Sequence, residues 1–234
     1  MKILVFSDVH GNLSALKALL ETTECKTADK VIFLGDACIG CSRPNECIEL
    51  IDKLDCEKIV GNNDLYVCDH VPHVDMLEFT EEKLEMLKYM QDIVTDKNKQ
   101  IVLSWKKDLT LELAGKTFYF THYPWEYFDN DANVIDTPAK KNFYTRIKMF
   151  AGNKADYIFF GHEHRENHFT DGYKYFYCVG TLGLKSPGYY IVINVDNSLI
   201  SIDEKCVDFD INYEIDLMDK AGYPYEKSKI KRKI

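Results

Sequence analysis

Aspartate, histidine and asparagine recur in four short motifs of this 234-residue chain: Asp8-Val9-His10, Gly35-Asp36, Gly61-Asn62-Asn63-Asp64 and Gly161-His162-Glu163-His164. Thr121-His122 lies between the third and the fourth. Carboxylates, imidazoles and an amide oxygen are the donor set of a metal site, and here there are enough of them for two ions. Asp8 and His10, one residue apart, are able to approach one ion; the alternative is an aspartate capping the next helix beside an incidental histidine. Asp36 is the best candidate for a bridging ligand, since a carboxylate has two oxygens, and Gly35 lets the backbone come close at the turn; otherwise it is a turn aspartate. Asn62 offers a neutral oxygen or simply belongs to a turn. His122 lies at a strand end. His162 and His164 reach the same side only from extended backbone, and from a loop they would meet different ions.

The elements that must position these residues are legible as alternating patterns. Apolar runs at Ile3 to Phe6 and Val31 to Leu34 precede Asp8 and Asp36, Ile59-Val60 precede Asn62, and Tyr157 to Phe160 precede the histidine pair. Helical stripes over about 12–21 (Leu13, Leu16, Leu19, Leu20) and 45–54 (Ile48, Ile51, Leu54) separate strands at 2–6, 31–34 and 57–60. That alternation predicts parallel strands with right-handed crossovers, whose ends converge on one sheet edge. Residues 65–80 read as an irregular loop, followed by helices over about 80–92 and 138–151. Hairpins are expected at 109–113/117–120 and 167–170/173–178, and paired strands near 189–195 and 198–203. The fold class is α/β: two mixed sheets packed face to face in a double β-sandwich, flanked by helices. One domain is expected over 1–205, with a C-terminal extension at 206–234 that ends in a basic, frayed tail.

Apolar residues make up 46% and charged residues 29%, an ordinary globular composition, and the net charge of −9 argues against a general nucleic-acid binder. No apolar stretch approaches the ~20 residues of a membrane helix, and the N-terminus runs straight into a strand without a signal-peptide layout, so a cytoplasmic protein is expected. The eight cysteines are scattered; Cys38-x2-Cys41 alone has ligand-like spacing, and reduced thiols are the preferred reading over zinc or iron–sulfur.

The ordered set of motifs resembles the calcineurin-like metallophosphoesterase superfamily, with its D-x-H, G-D, G-N-H-[DE], H and G-H-x-H pattern, over roughly residues 1–195. The opening Ile-Leu-Val-Phe-Ser-Asp-Val-His-Gly-Asn and the later Phe-Leu-Gly-Asp are most similar to its small bacterial and archaeal phosphodiesterase branch. The resemblance implies a double β-sandwich with Asp8, His10 and His164 on a first ion, Asn62, His122 and His162 on a second, and Asp36 bridging. It implies a hydroxide between the ions as nucleophile on phosphorus. It also implies two divalent cofactor ions, manganese first, with iron, zinc, cobalt or nickel compatible with the nitrogen and oxygen donors.

One position departs from the family. Asn63 stands where the family has the histidine that protonates the leaving oxygen or steadies the phosphate, and an amide is no general acid. Asp64 would orient that histidine, so Asn63 and Asp64 are the candidate catalytic pair with open roles. The expected activity is hydrolysis of a small phosphate diester. The alternatives are a phosphomonoesterase and, from a different class, a scaffold module with a weakened site, as in a retromer coat subunit of this fold. The expected partner is the small ester, with no membrane, and a homo-oligomer stays open. The loops at 65–80 and 123–136 are the expected substrate readers, with Tyr123, Trp125, Tyr127 and Phe128 able to stack on a base or to pack locally.

Overall fold

The computed structural model describes residues 1–71, 79–124 and 147–224. Continuous apolar runs become strands buried on both faces, as in parallel sheets covered on each side. The first sheet runs β10-β9-β1-β2-β3 and the second β4-β5-β6-β8-β7. In the first, β1 (Lys2–Phe6), β2 (Lys30–Phe33) and β3 (Glu57–Lys58) are parallel, and β9 (Gly188–Asp196) and β10 (Leu199–Val207) join antiparallel. In the second, β5 (Lys116–Thr121), β6 (Tyr157–Phe160) and β8 (Tyr175–Val179) are parallel, edged by β4 (Asp108–Leu113) and β7 (Glu166–Thr170). This is the double sandwich expected from the residue pattern.

The period of two along each strand sorts side chains into separate layers. Ile3, Val5, Ile32 and Leu34 meet Phe118, Phe120 and Phe159 between the sheets. Leu4, Phe6, Val31 and Phe33 face the helices α1 (Leu13–Glu21), α3 (Pro44–Lys53) and α5 (Glu81–Ile93). A short α2 (Thr23–Lys26) follows α1, whose cap is Asn12, accepting from the Ala15 N–H at 2.9 Å. Asp8 is therefore not the capping residue.

Four stretches differ from the sequence expectation. Asn62–Val67 is a helix, α4, where a loop was expected beyond Asp64; the carboxylate of Asp64 accepts the Gly61 N–H at 3.0 Å and starts it. Helix α6 (Asp96–Leu103) buries only Asn98 and Val102, so it leaves no apolar period to detect, and Thr95 caps it. Helix α7 (Ile211–Lys220) buries Ile211, Ile215 and Met218 but breaks its stripe with buried Glu214. Strand β3 is two residues long, shorter than the expected 57–60. Most of the helix expected at 138–151, the basic tail at 227–233, and Trp125, Tyr127 and Phe128 lie outside the described residues. All eight cysteines are free thiols, and Cys38, Cys41, Cys47, Cys68 and Cys178 are buried.

Candidate metal centre

Each candidate ligand follows the C-terminal end of a strand or the short element next to it. Asp8 and His10 come after β1, Asp36 after β2, Asn62 at the first turn of α4 after β3, His122 after β5, and His162 and His164 after β6. Backbone bonds lace these ends together: Asp8 N–H donates to Gly35 O at 2.9 Å, His10 N–H to Asp36 O at 2.9 Å, and Gly161 N–H to His122 O at 3.0 Å. The His162 N–H donates to Asp8 Oδ2 at 3.1 Å, which ties the two sheets across the site. Two glycines make room. A Cβ at Gly61 would collide with the Asp36 side chain, and Gly35, at φ +100°, would carry one 2.5 Å from the Gly61 nitrogen.

Asp8, His10, Asp36, His162 and His164 all have positive φ, between 52° and 67°. Non-glycine residues are found there in only a few per cent of cases, and each costs on the order of 1–3 kcal/mol. Five candidate ligands sharing this conformation mark a place where the fold holds strain. His162 and His164 meet different partners from a loop, the second of the two arrangements open from sequence.

On one side, Asp8, His10, Asp36 and His164 each offer a ligand atom within 4.8 Å of one another. His10 Nε2 lies 3.0 Å from His164 Nε2, and Asp8 Oδ1 lies 3.4 Å from the first and 3.1 Å from the second. On the other side, Asn62 Oδ1 is 3.0 Å from His122 Nε2 and 2.8 Å from His162 Nδ1. Asp36 Oδ2 stands between, 3.9 Å from His10 Nε2 and 3.4 Å from His122 Nε2. The structure therefore brings all seven residues together, three to a side and Asp36 central.

Their tautomers follow from simple acceptor logic. The His10 Nδ1–H donates to Ile39 O at 2.5 Å, with Cys38 O at 3.2 Å, and the His122 Nδ1–H donates to Leu34 O at 2.8 Å. A carbonyl oxygen only accepts, so each Nδ1 carries the proton and each Nε2 turns a lone pair inward. Those lone pairs face carboxylate and amide oxygens, acceptor against acceptor. Asp8 Oδ1 is buried with no hydrogen-bond partner of proper geometry among the described residues. Only a proton or a cation reconciles such an arrangement, and this donor set fits divalent metal ions.

The protein groups by themselves show the same demand for positive charge. Burial would lower His122, but Asp36 beside it prevails and brings it to about 9. Burial would raise Asp36, but the His122 charge draws it down to about 2. Burial likewise opposes ionisation of Asp8, yet His10 and His164 hold it well below the usual carboxylate range. Burial keeps His164 lowered despite Asp8.

The open pair at 63 and 64 divides. Asn63 is partly exposed at the rim and donates from Nδ2 to Asp36 Oδ2 at 2.5 Å and from its backbone to Oδ1 at 2.9 Å. Asp64 is fully buried, and its oxygens accept four backbone N–H groups, those of Asp36, Gly61, Ala37 and Cys38, at 2.8 to 3.1 Å. That fills its lone pairs. Asp64 thus grips the backbone on both sides of Asp36 instead of orienting a ring at position 63. Burial and the nearby Asp36 charge push it up to about 6, against the N–H donors that draw it down.

Cys38 and Cys41 do not belong to the ligand cluster. Tyr123 is buried against His162, ring centroids 4.2 Å apart, so of its two readings it packs locally. Sequence reasoning misses the carbonyls of Leu34 and Ile39, because a backbone acceptor has no residue signature.

The family model of the calcineurin-like phosphoesterase superfamily domain matches residues 1–198. An uncharacterized protein of Methanocaldococcus jannaschii is 30% identical over 168 residues, which cover 69% of this chain and 62% of the relative's length. A metallophosphoesterase from Sphaerobacter thermophilus superposes with a TM-score of 0.73 at 19% identity, covering 99% of this chain and 98% of its own. A hypothetical protein from Pyrococcus horikoshii does so with a TM-score of 0.77 at 18% identity, covering 98% and 96%. Both structures share the fold. With the family model spanning every candidate ligand and every strand except β10, the chain belongs to the calcineurin-like phosphoesterase superfamily.

Proposed function

We propose that this chain is a two-metal phosphodiesterase acting on a small phosphate diester, a nucleotide or a compound like it. The observation that carries the reading is the inward convergence of seven side chains, in which the Nδ1–H bonds of His10 and His122 leave each Nε2 lone pair facing inward. Asp8, His10 and His164 would hold one ion, Asn62, His122 and His162 the other, and Asp36 would bridge. Bound divalent ions, manganese by preference, would supply a nucleophile at neutral pH and charge neutralisation for the phosphoryl oxygens.

The chain's own residues do the rest. The carbonyls of Ile39 and Leu34 fix the rings of His10 and His122. Asp64 fixes the backbone of Asp36. His162, His164 and Asn63 form the partly exposed side of the cluster, where a phosphate would enter. Asn63 is able to donate hydrogen bonds to a phosphate oxygen but has no proton to give a departing alkoxide.

An ester whose leaving group departs unaided should therefore be the better substrate. With nitrophenyl leaving groups, kcat/KM for the diester is expected to exceed that for the monoester, and activity should vanish on chelation and return with manganese. Monoester turnover equal to or above the diester's would overturn the diester assignment. Activity surviving exhaustive chelation would overturn the metal mechanism. No helix among the described residues is long and apolar enough to cross a membrane.

A further inference from the structure

The region beyond the family match reaches back to the metal centre through one peptide group. Helix α7 ends at Lys220, and the chain then turns through Gly222, at φ +64°, to Tyr223, which is buried. The Tyr223 hydroxyl accepts the Gly40 N–H at 3.2 Å. The carbonyl on the other side of that same peptide bond is Ile39 O, the acceptor of the His10 Nδ1–H at 2.5 Å. One peptide unit, Ile39–Gly40, is thus held at both ends, by the tyrosine on its N–H and by the candidate ligand on its C=O.

The backbone here needs holding. Ile39 has φ +57°, a conformation rare for a β-branched residue, and Gly40 has φ +148°. A Cβ at Gly40 would lie 2.7 Å from the His10 Cβ, so the loop and the histidine are in intimate contact. The docking of the segment is over-determined. Glu214 of α7, fully buried, pairs with Arg43 and accepts the Ser14 N–H at 3.0 Å, and the Tyr89 hydroxyl donates to Ala221 O at 3.1 Å.

We infer that Tyr223 is a positioning residue for His10, acting through the Ile39–Gly40 peptide. Accepting the peptide N–H polarises its carbonyl and strengthens it as an acceptor for the imidazole N–H. That fixes the ring and makes Nε2 a better donor to a metal, the part a carboxylate or carbonyl plays behind metal-bound histidines. The inference rests on the proposed two-metal reading.

The test is titration of metal-stripped protein with manganese by calorimetry, in the wild type, Tyr223→Phe and Tyr89→Phe. Tyr223→Phe removes only the hydroxyl. It is expected to weaken the ion held by His10 roughly 3–10-fold, at or below the low end of the 10–100-fold effects of partners behind ligands. The ion held by His122 should keep its affinity. The His10 Nδ1–H resonance should move upfield as its hydrogen bond lengthens. Tyr89→Phe loosens the same segment without touching the peptide and should leave both affinities unchanged, even if its melting temperature falls.

Unchanged affinities in Tyr223→Phe, equal weakening of both ions, or the same weakening in Tyr89→Phe would each overturn the inference. A wild type that binds no pair of ions would instead overturn the two-metal reading. Should Tyr223→Phe not fold, Gly222→Ala, which strains the turn at positive φ, displaces the hydroxyl, and the same selective loss at the His10 ion is required.

Discussion

On the proposed two-metal reading, Asp36→Asn should lower occupancy at both ion positions and reduce diester hydrolysis by about 10³-fold, the scale on which removal of a central charge-stabilising group is felt. The residue stands between the two ligand sets, with Oδ2 3.9 Å from His10 Nε2 and 3.4 Å from His122 Nε2. An amide offers one neutral oxygen in place of a charged pair, so neither ion keeps its shared ligand. The fold should survive, because the new oxygen still accepts the Asn63 N–H and the Asp64 grip lies on the backbone of residue 36. By contrast, His10→Ala should mainly weaken the first ion.

A second readout needs no metal. Asp36 is the chief group raising His122 to about 9 against burial. Its folded value lies above the usual 6.5 and that of Asp36 below the usual 3.8, so this pairing stabilises metal-stripped protein fully between pH ~4 and ~6.5 and is lost as pH rises through ~9 or falls through ~2. In Asp36→Asn the His122 ring should titrate at markedly lower pH in an NMR titration, and that stability difference should shrink. Full activity in the variant, or an unchanged His122 titration, would contradict the central place given to Asp36.

Much of this site was legible from residue types, for a physical reason. Side chains that follow apolar runs at the ends of parallel strands must gather at one edge, so the pattern alone puts Asp8, Asp36 and His122 together. The double sandwich followed from hairpin signals in the second half. What stayed hidden depends on backbone. The positive φ shared by Asp8, His10, Asp36, His162 and His164 leaves no trace in sequence, and neither does the four-donor grip of Asp64. Helix α6 went unseen because its buried positions are one asparagine and one valine. Helix α7 went unseen because a buried glutamate, answered by Arg43, interrupts its stripe.

The second large effect is expected at Asn63. Asn63→His should raise the hydrolysis of diesters with poor leaving groups and leave nitrophenyl diesters nearly unchanged. A general acid contributes ~10²–10⁴ when well placed. The gain here should stay at or below the bottom of that range, about 10–100-fold. Asp64, which would orient the new ring, already accepts four backbone N–H groups and has no lone pair left for it. The variant also loses the Asn63 side-chain bond to Asp36, so rates must be compared at equal metal occupancy. A new limb near pH ~6.5 should appear for the poor leaving groups alone. If the dependence on leaving group does not change with both ions bound, position 63 does not face the reacting phosphate.

Seven side chains from both sheet edges forming one two-ion centre are tested most directly by a crystal structure of manganese-loaded protein with anomalous scattering at the metal edge. Two peaks are expected, one among Asp8, His10 and His164 and one among Asn62, His122 and His162, with Asp36 touching both. A single peak at saturating manganese, or two peaks of which either lies away from Asp36, would contradict it.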